Sequence, residues 1–254
     1  MKKLISVLLT AAFLAAMLII PAFAEPDKRL EALQGSYIEL FPEFAKEEFH
    51  DYWLECISKY VNDPETAEMF YQMLIGSCMG KLKGQDAIDA YTADPDSIVF
   101  DCFFTDGIAK ITIEGDVISG FDADNKTVFS YTYSYTEDIP MNIGGMTLEG
   151  MNFHIFKADE ENDAFAYFAF IDDTPAETYH LELRYRPTLD NIGSYYEGDY
   201  AYWLVGAISE NYAESSMMRD CIKLFVDENM SELAGEEAEV IEISDVKGLS
   251  ADRL

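Results

Sequence analysis

Basic residues are scarce in this chain: 17 Lys and Arg stand against 48 Asp and Glu in 254 residues, a formal net charge of −31. Nucleic acid and anionic lipid both demand clustered Lys and Arg, so this balance excludes either as a main partner and leaves cations and basic surfaces. Histidine is scarcer still, with only His50, His154 and His180, and no His-x-x-x-His pair. There is no Gly-x-Ser-x-Gly elbow, P-loop or dinucleotide fingerprint, so no motif supports nucleophilic hydrolysis, nucleotide chemistry or hydride transfer. Abundant carboxylates always supply some acid–base pair, but nothing marks two of them as convergent. The chain is therefore expected not to be an enzyme. Beyond residue 24 it also lacks any apolar run near the ~20 residues that cross a bilayer.

The one long apolar run, Leu4 to Ile20, follows Met1-Lys2-Lys3 and precedes Pro21-Ala22-Phe23-Ala24. Basic, hydrophobic and small-residue parts in that order read as a secretory signal peptide over residues 1–24, with cleavage after Ala24. An uncleaved single-span anchor is the alternative. No cysteine follows directly, which argues against lipid attachment. The mature chain is expected to be soluble, without a membrane span, and secreted or extracytoplasmic, in a periplasm or at the cell surface. Cys56, Cys78, Cys102 and Cys221 all lie in the exported part. An even count allows two disulfides in three connectivities, and free core thiols are equally compatible. Their spacing fits neither a zinc ribbon nor a Cys-x-x-Cys redox pair.

Residues 25–230 read as one domain, for no Pro/Gly/Ser linker or internal repeat divides them. The acidic, aromatic-free tail 231–254 is expected to be disordered. Phe49, Tyr52, Trp53, Cys56, Ile57, Tyr60 and Val61 recur at spacings of three and four, which predicts a helix over 43–61. Asp63-Pro64-Glu65 then supplies an N-cap, a first-turn proline and a first-turn acid for a second helix. After Asp94 the period changes to two. Runs at 98–104, 108–114, 117–121, 128–136, 146–156, 164–171 and 179–185 predict seven short strands. Asp122-Ala123-Asp124-Asn125-Lys126 lacks the glycine and distal Glu of a calcium loop and reads as a hairpin turn. A final helix is expected from Glu214 to Asp227, with Met217, Met218, Cys221, Ile222 and Phe225 on one stripe. The sum is a mainly β chain with flanking helices, an antiparallel barrel or sandwich.

Within that meander, Pro175 to Arg186 places His180 and Glu182 two residues apart in an apolar/polar alternation. In a strand both side chains point to one face, where imidazole and carboxylate can grip one divalent cation. A solvated strand surface gives the same pattern. His50 and His154 read as structural or ordinary polar positions, though His154 could share the face of His180 across the sheet.

Three places resemble the ZinT (YodA) family of exported zinc- and cadmium-binding proteins. They are Leu30-Glu31 with Leu33-Gln34-Gly35-Ser36-Tyr37 and Phe41-Pro42, Ile111-Thr112-Ile113-Glu114-Gly115-Asp116 followed by Ser130-Tyr131-Thr132-Tyr133, and Pro175 to Tyr185. The likeness spans Leu30 to Asp227. It implies a calycin/lipocalin-like barrel that binds a divalent metal, Zn2+ foremost, for scavenging or for delivery to a metal-uptake receptor. His180 matches the first histidine of the family's metal strand, Glu182 replaces the second, and Asp172-Asp173 stands where the family has Asp-His. The implied ligands are thus His180, Glu182 and Asp173 or Asp172. This is an oxygen-rich set that also suits harder cations such as manganese or calcium. Two alternatives stand beside it. Arg184 could pair with Glu182 in a metal-free barrel face, or the barrel could bind a small organic ligand or a surface partner at an aromatic mouth built from Tyr131, Tyr133, Phe168 and Trp203. A monomer is expected.

Overall fold

Eight antiparallel strands close on themselves in chain order, each paired with its sequence neighbour and the last with the first. The computed structural model describes residues 28–143, 145–161, 164–171 and 180–235. A short helix α1 (Lys28–Ala32) leads into β1 (Gly35–Glu39), α2 (Leu40–Phe44), α3 (Glu47–Ile57), α4 (Pro64–Ser77) and α5 (Gly84–Ala93). The barrel continues through β2 (Lys110–Glu114), β3 (Val117–Phe121), β4 (Thr127–Ile143), β5 (Met146–Ala158), β6 (Tyr167–Ile171), β7 (Leu181–Arg186) and β8 (Val205–Ser209). A last helix, α6 (Met217–Gly235), packs on the outside and runs past the point where the tail was expected to begin. The remaining residues 236–254, like residues 1–27, lie outside the described residues.

The expected antiparallel barrel with flanking helices is what forms. Alternation decides which face is inside. Ile111 and Ile113 of β2, Leu181, Leu183 and Tyr185 of β7 and Phe168 and Phe170 of β6 all point into one buried interior. Gly120 is required there, because a Cβ would sit 2.2 Å from the Phe129 ring. Stacked and edge-on aromatic pairs fill the space, with Phe129 and Phe165 at 4.1 Å between centroids and Tyr185 against Trp203 at 5.1 Å. The lumen is therefore a packed core.

Two further apolar layers lie outside. Helices α2, α3, α4 and α6 bury one against β8, centred on Trp53 and Phe70. The long excursion between β7 and β8 buries the other against the outer faces of β5 and β6. This explains why 98–104 is not the strand its alternation predicts: Phe100 joins the layer under the excursion, Cys102 the helical layer and Phe104 the lumen. A side chain committed to each of three cores cannot lie on one sheet, and only Asp101 makes bridges, to Met79 and Trp203. The helix predicted over 43–61 is split at Ala45-Lys46 into α2 and α3. The Asp63 cap holds as expected, accepting from the Thr66 amide at 2.8 Å with Pro64 in the first turn. Asp122 to Lys126 forms the β3–β4 turn, with the Asp122 amide donating to the Lys126 carbonyl at 3.0 Å.

Candidate metal site beside the barrel

The hairpin of β4 and β5 is longer than its neighbours. Among the described residues, β6 pairs on the β5 side with Phe153 to Lys157 alone, and the distal part of the hairpin extends beyond that pairing. A bulge at Pro140, which has no amide to give the ladder, bends it there. The tip docks on the β7–β8 excursion, with the Asn142 amide donating to Gly193 at 2.7 Å and Tyr195 donating back to Asn142 at 3.0 Å. Between this tip, the outer face of β6 to β8, α2 and α6 lies a cavity of about 510 Å3. Its walls are largely apolar, with Met141, Ile143, Met146 and Met151 from the hairpin and Leu224 and Phe225 from α6. Its polar end is formed by His180, Glu182, Cys221, Glu228 and Asn229.

His180 and Glu182 share the outer face of β7, as period two requires, because Leu181 and Leu183 turn into the lumen. The Nε2 atom of His180 lies 3.7 Å from a Glu182 carboxylate oxygen, with the two side chains 15% and 26% exposed. On the opposite ring edge, Nδ1 lies 3.9 Å from Sγ of the buried Cys221 on α6. Burial works against the charged ring, yet Cys221 and Glu182 outweigh it and hold His180 well above the ordinary imidazole range. At the rim, crowding around the Glu228 carboxyl raises its pKa and the charge of Glu182 adds to this, while His180 pulls it down.

Arg184 does not hold Glu182. Its guanidinium is fully buried and donates to the carbonyls of Trp203 at 2.7 Å, Ile192 at 2.9 Å and Ser194 at 2.6 Å. The Glu182 carboxylate keeps its contact with His180 instead. Burial first, then the neighbouring Arg186, lower Arg184 to about 9, which leaves it protonated at neutral pH. His154 does not share the face of His180 either. It pairs in register with Phe170, a lumen residue, and its Nδ1 meets Asp138 at 2.6 Å. His50 bonds Glu68 at 2.9 Å between α3 and α4, the structural role expected of it. The aromatic mouth is corrected as well. Tyr133, Phe168 and Trp203 are buried in the lumen and Tyr131 packs against them, so none lines the cavity.

Asp172 and Asp173 lie outside the described residues, between Ile171 and His180, both of which line the cavity. Among the described residues, no three His, Cys, Asp or Glu side chains are arranged to hold a metal ion. The geometry gives the reason: Glu182 and Cys221 approach different nitrogens of one ring, so they do not converge on one point. Cys221 and Glu228 were missed by sequence reasoning about the site. The signal available was a carboxylate at position 228 continuing, at helical spacing, the stripe that passes through Cys221 and Phe225.

No known protein family matches the sequence, nor does any curated protein. Several solved chains are similar to it, among them these two. One is the Zn(II)-bound ZinT-like domain of Streptococcus pneumoniae AdcA, with 15% identity and a TM-score of 0.47 over 82% of this chain and 94% of that one. The other is Zn(II)-bound AdcA from the same organism, with 14% identity and a TM-score of 0.44 over 78% of this chain and 35% of that one.

Proposed function

We propose that this chain is an exported, non-catalytic carrier that binds one divalent metal ion, zinc foremost, at the polar end of the cavity beside β7. The observation that supports it is the His180–Glu182 pair, an imidazole nitrogen and a carboxylate oxygen 3.7 Å apart on one strand face. Cys221 stands behind the ring. With Sγ of Cys221 3.9 Å from Nδ1, that nitrogen can keep the ring proton, and a metal ion at Nε2 would then replace the proton that the neighbouring Glu182 favours there. This donor set fits zinc, which accepts imidazole with carboxylates in mononuclear sites. The third ligand is assigned to Asp173, or its neighbour Asp172, in the segment whose flanking residues line the cavity. His180 and Glu182 fix the ion to a rigid strand, and the two carboxylates balance its charge. Scavenging, or delivery to an uptake receptor, is the role that suits such a site on an exported protein. Elemental analysis of the purified chain should find one equivalent of zinc that a chelator removes at a rate hastened by acid, since only neutral imidazole binds.

The apolar walls favour a second reading. A cavity of this size suits a small organic ligand, held by its apolar body against the methionines with a cationic group at Glu182 and Glu228. Native mass spectrometry separates the two. Added mass equal to a metal ion supports the first, and a bound organic molecule in metal-free protein supports the second.

A further inference from the structure

On the far side of Cys102 from the lumen, the chain end of α4 meets the segment that precedes β2. Met79 and Asp101 form an antiparallel bridge there. Continued by one antiparallel step, back one residue on one chain segment and forward one on the other, this isolated bridge would set Cys78 opposite Cys102. Directly opposed residues have Cα atoms ~4.5–5.5 Å apart, inside the ~4.4–6.8 Å that disulfides span. The two residues are free thiols here and both are buried, and Cys78, with burial, raises the Cys102 thiol well above its ordinary value, which marks the side chains as neighbours. Their backbones are pinned in place. Gly80 lies so close to the opposing chain that a Cβ would meet the Ile98 and Phe100 carbonyls at 2.7 Å. The Asp101 amide donates to Tyr202 at 2.9 Å, and the Cys102 carbonyl accepts from Gly206 at 3.2 Å. The other two cysteines have different neighbours, Tyr52 for Cys56 and His180 for Cys221.

We propose that Cys78 and Cys102 are a disulfide-forming pair, and that Cys56 and Cys221 remain thiols. This chooses one bond where the sequence left three connectivities open. The oxidant is a disulfide, either of a thiol–disulfide oxidoreductase or of oxidised glutathione. One cysteine thiolate attacks it and releases one thiol. The second cysteine then displaces the other, forming the Cys78–Cys102 bond and a second released thiol. Two protons and two electrons pass from the protein to the oxidant. The bond would tie α4 to the segment whose Cys102 carbonyl holds Gly206, a residue of the cavity wall.

The test is to incubate the whole purified chain with oxidised glutathione and then map tryptic peptides without reduction. The four cysteines fall in separate peptides, with Cys78 in 60–81 and Cys102 in 84–110. The expected result is a cross-link between those two peptides, two titratable thiols left in denaturant, and a Tm raised by about 5–10 °C that reductant reverses. Cys78→Ser and Cys102→Ser should each abolish the rise. Four titratable thiols, or a cross-link that contains Cys56 or Cys221, would overturn the pairing. The wild-type map decides the matter even if a variant fails to fold.

Discussion

His180 is gripped on both ring edges, by Glu182 at Nε2 and by Cys221 at Nδ1. One partner lies two residues away on the same strand, while the other, Cys221, comes from α6, distant in sequence. Replacing Cys221 with Ala removes the partner at Nδ1 that fixes the ring, and zinc affinity should fall about tenfold with one equivalent still bound. Competition against a chromogenic chelator measures this, and unchanged affinity would remove Cys221 from the site. A second residue-scale expectation concerns Asp101, which is buried and accepts from the Phe103 amide at 3.1 Å. Burial raises its pKa above the ordinary carboxylate value, with Phe103, Lys83 and Lys81 opposing. The folded chain thus holds this proton to higher pH than the unfolded chain does. Stability should decline as pH rises from the ordinary carboxylate range through the folded value. Asp101→Asn keeps the acceptor oxygen but cannot ionise, so its Tm relative to the parent should improve over that interval. A difference independent of pH would contradict the assignment. The His180–Glu182 pair was legible in the sequence because strand period alone puts both on one face. Cys221 and Glu228 were not, because they reach the site only through the docking of α6.

At the scale of elements, β7 does two things. Its inner face fills the lumen, while its outer face carries the site at one end and a staple at the other. Arg184 donates to three carbonyls of the β7–β8 excursion and Arg186 to two more, Asp190 and Asn191, each at 2.8 Å. A long connection without strands needs such donors, since its buried carbonyls have no ladder to pair with. Arg184→Leu should cost about 3 kcal/mol by leaving those carbonyls unpaired, read as a lower urea midpoint. The His180–Glu182 contact should persist in that variant, because Arg184 bonds carbonyls of the excursion and touches Glu182 only through its charge. A loss below about 0.5 kcal/mol, the range of ordinary surface changes, would show that the excursion is held by other contacts. Sequence reasoning read these arginines as a polar strand face. Alternation correctly put them outside but could not show that the excursion buries that outside. The Asp63-Pro64 helix start was legible because a cap is local. β1 and β8 were missed, for Gly-Ser-Tyr-Ile-Glu and Val-Gly-Ala-Ile-Ser are short, and β8 is covered on both faces, so neither shows a clear two-residue period.

For the whole molecule, a lumen packed with aromatic rings leaves binding to the outer face, where helix, hairpin and excursion enclose a cavity with carboxylates at one end. A strongly acidic surface draws cations toward that opening and repels anions. Barrel closure supplies the rigidity, since each of the eight described strands has a neighbour on both sides. The fold class followed from the change of period after Asp94, whereas the position of the cavity followed from contacts among segments far apart in sequence. The direct test is calorimetric zinc titration, near neutral pH, of the metal-stripped protein beside its His180→Ala and Glu182→Ala variants. One tight equivalent, weakened at least tenfold by either substitution, is the result expected of a site on β7. Absence of saturable binding, or binding indifferent to both substitutions, would contradict it.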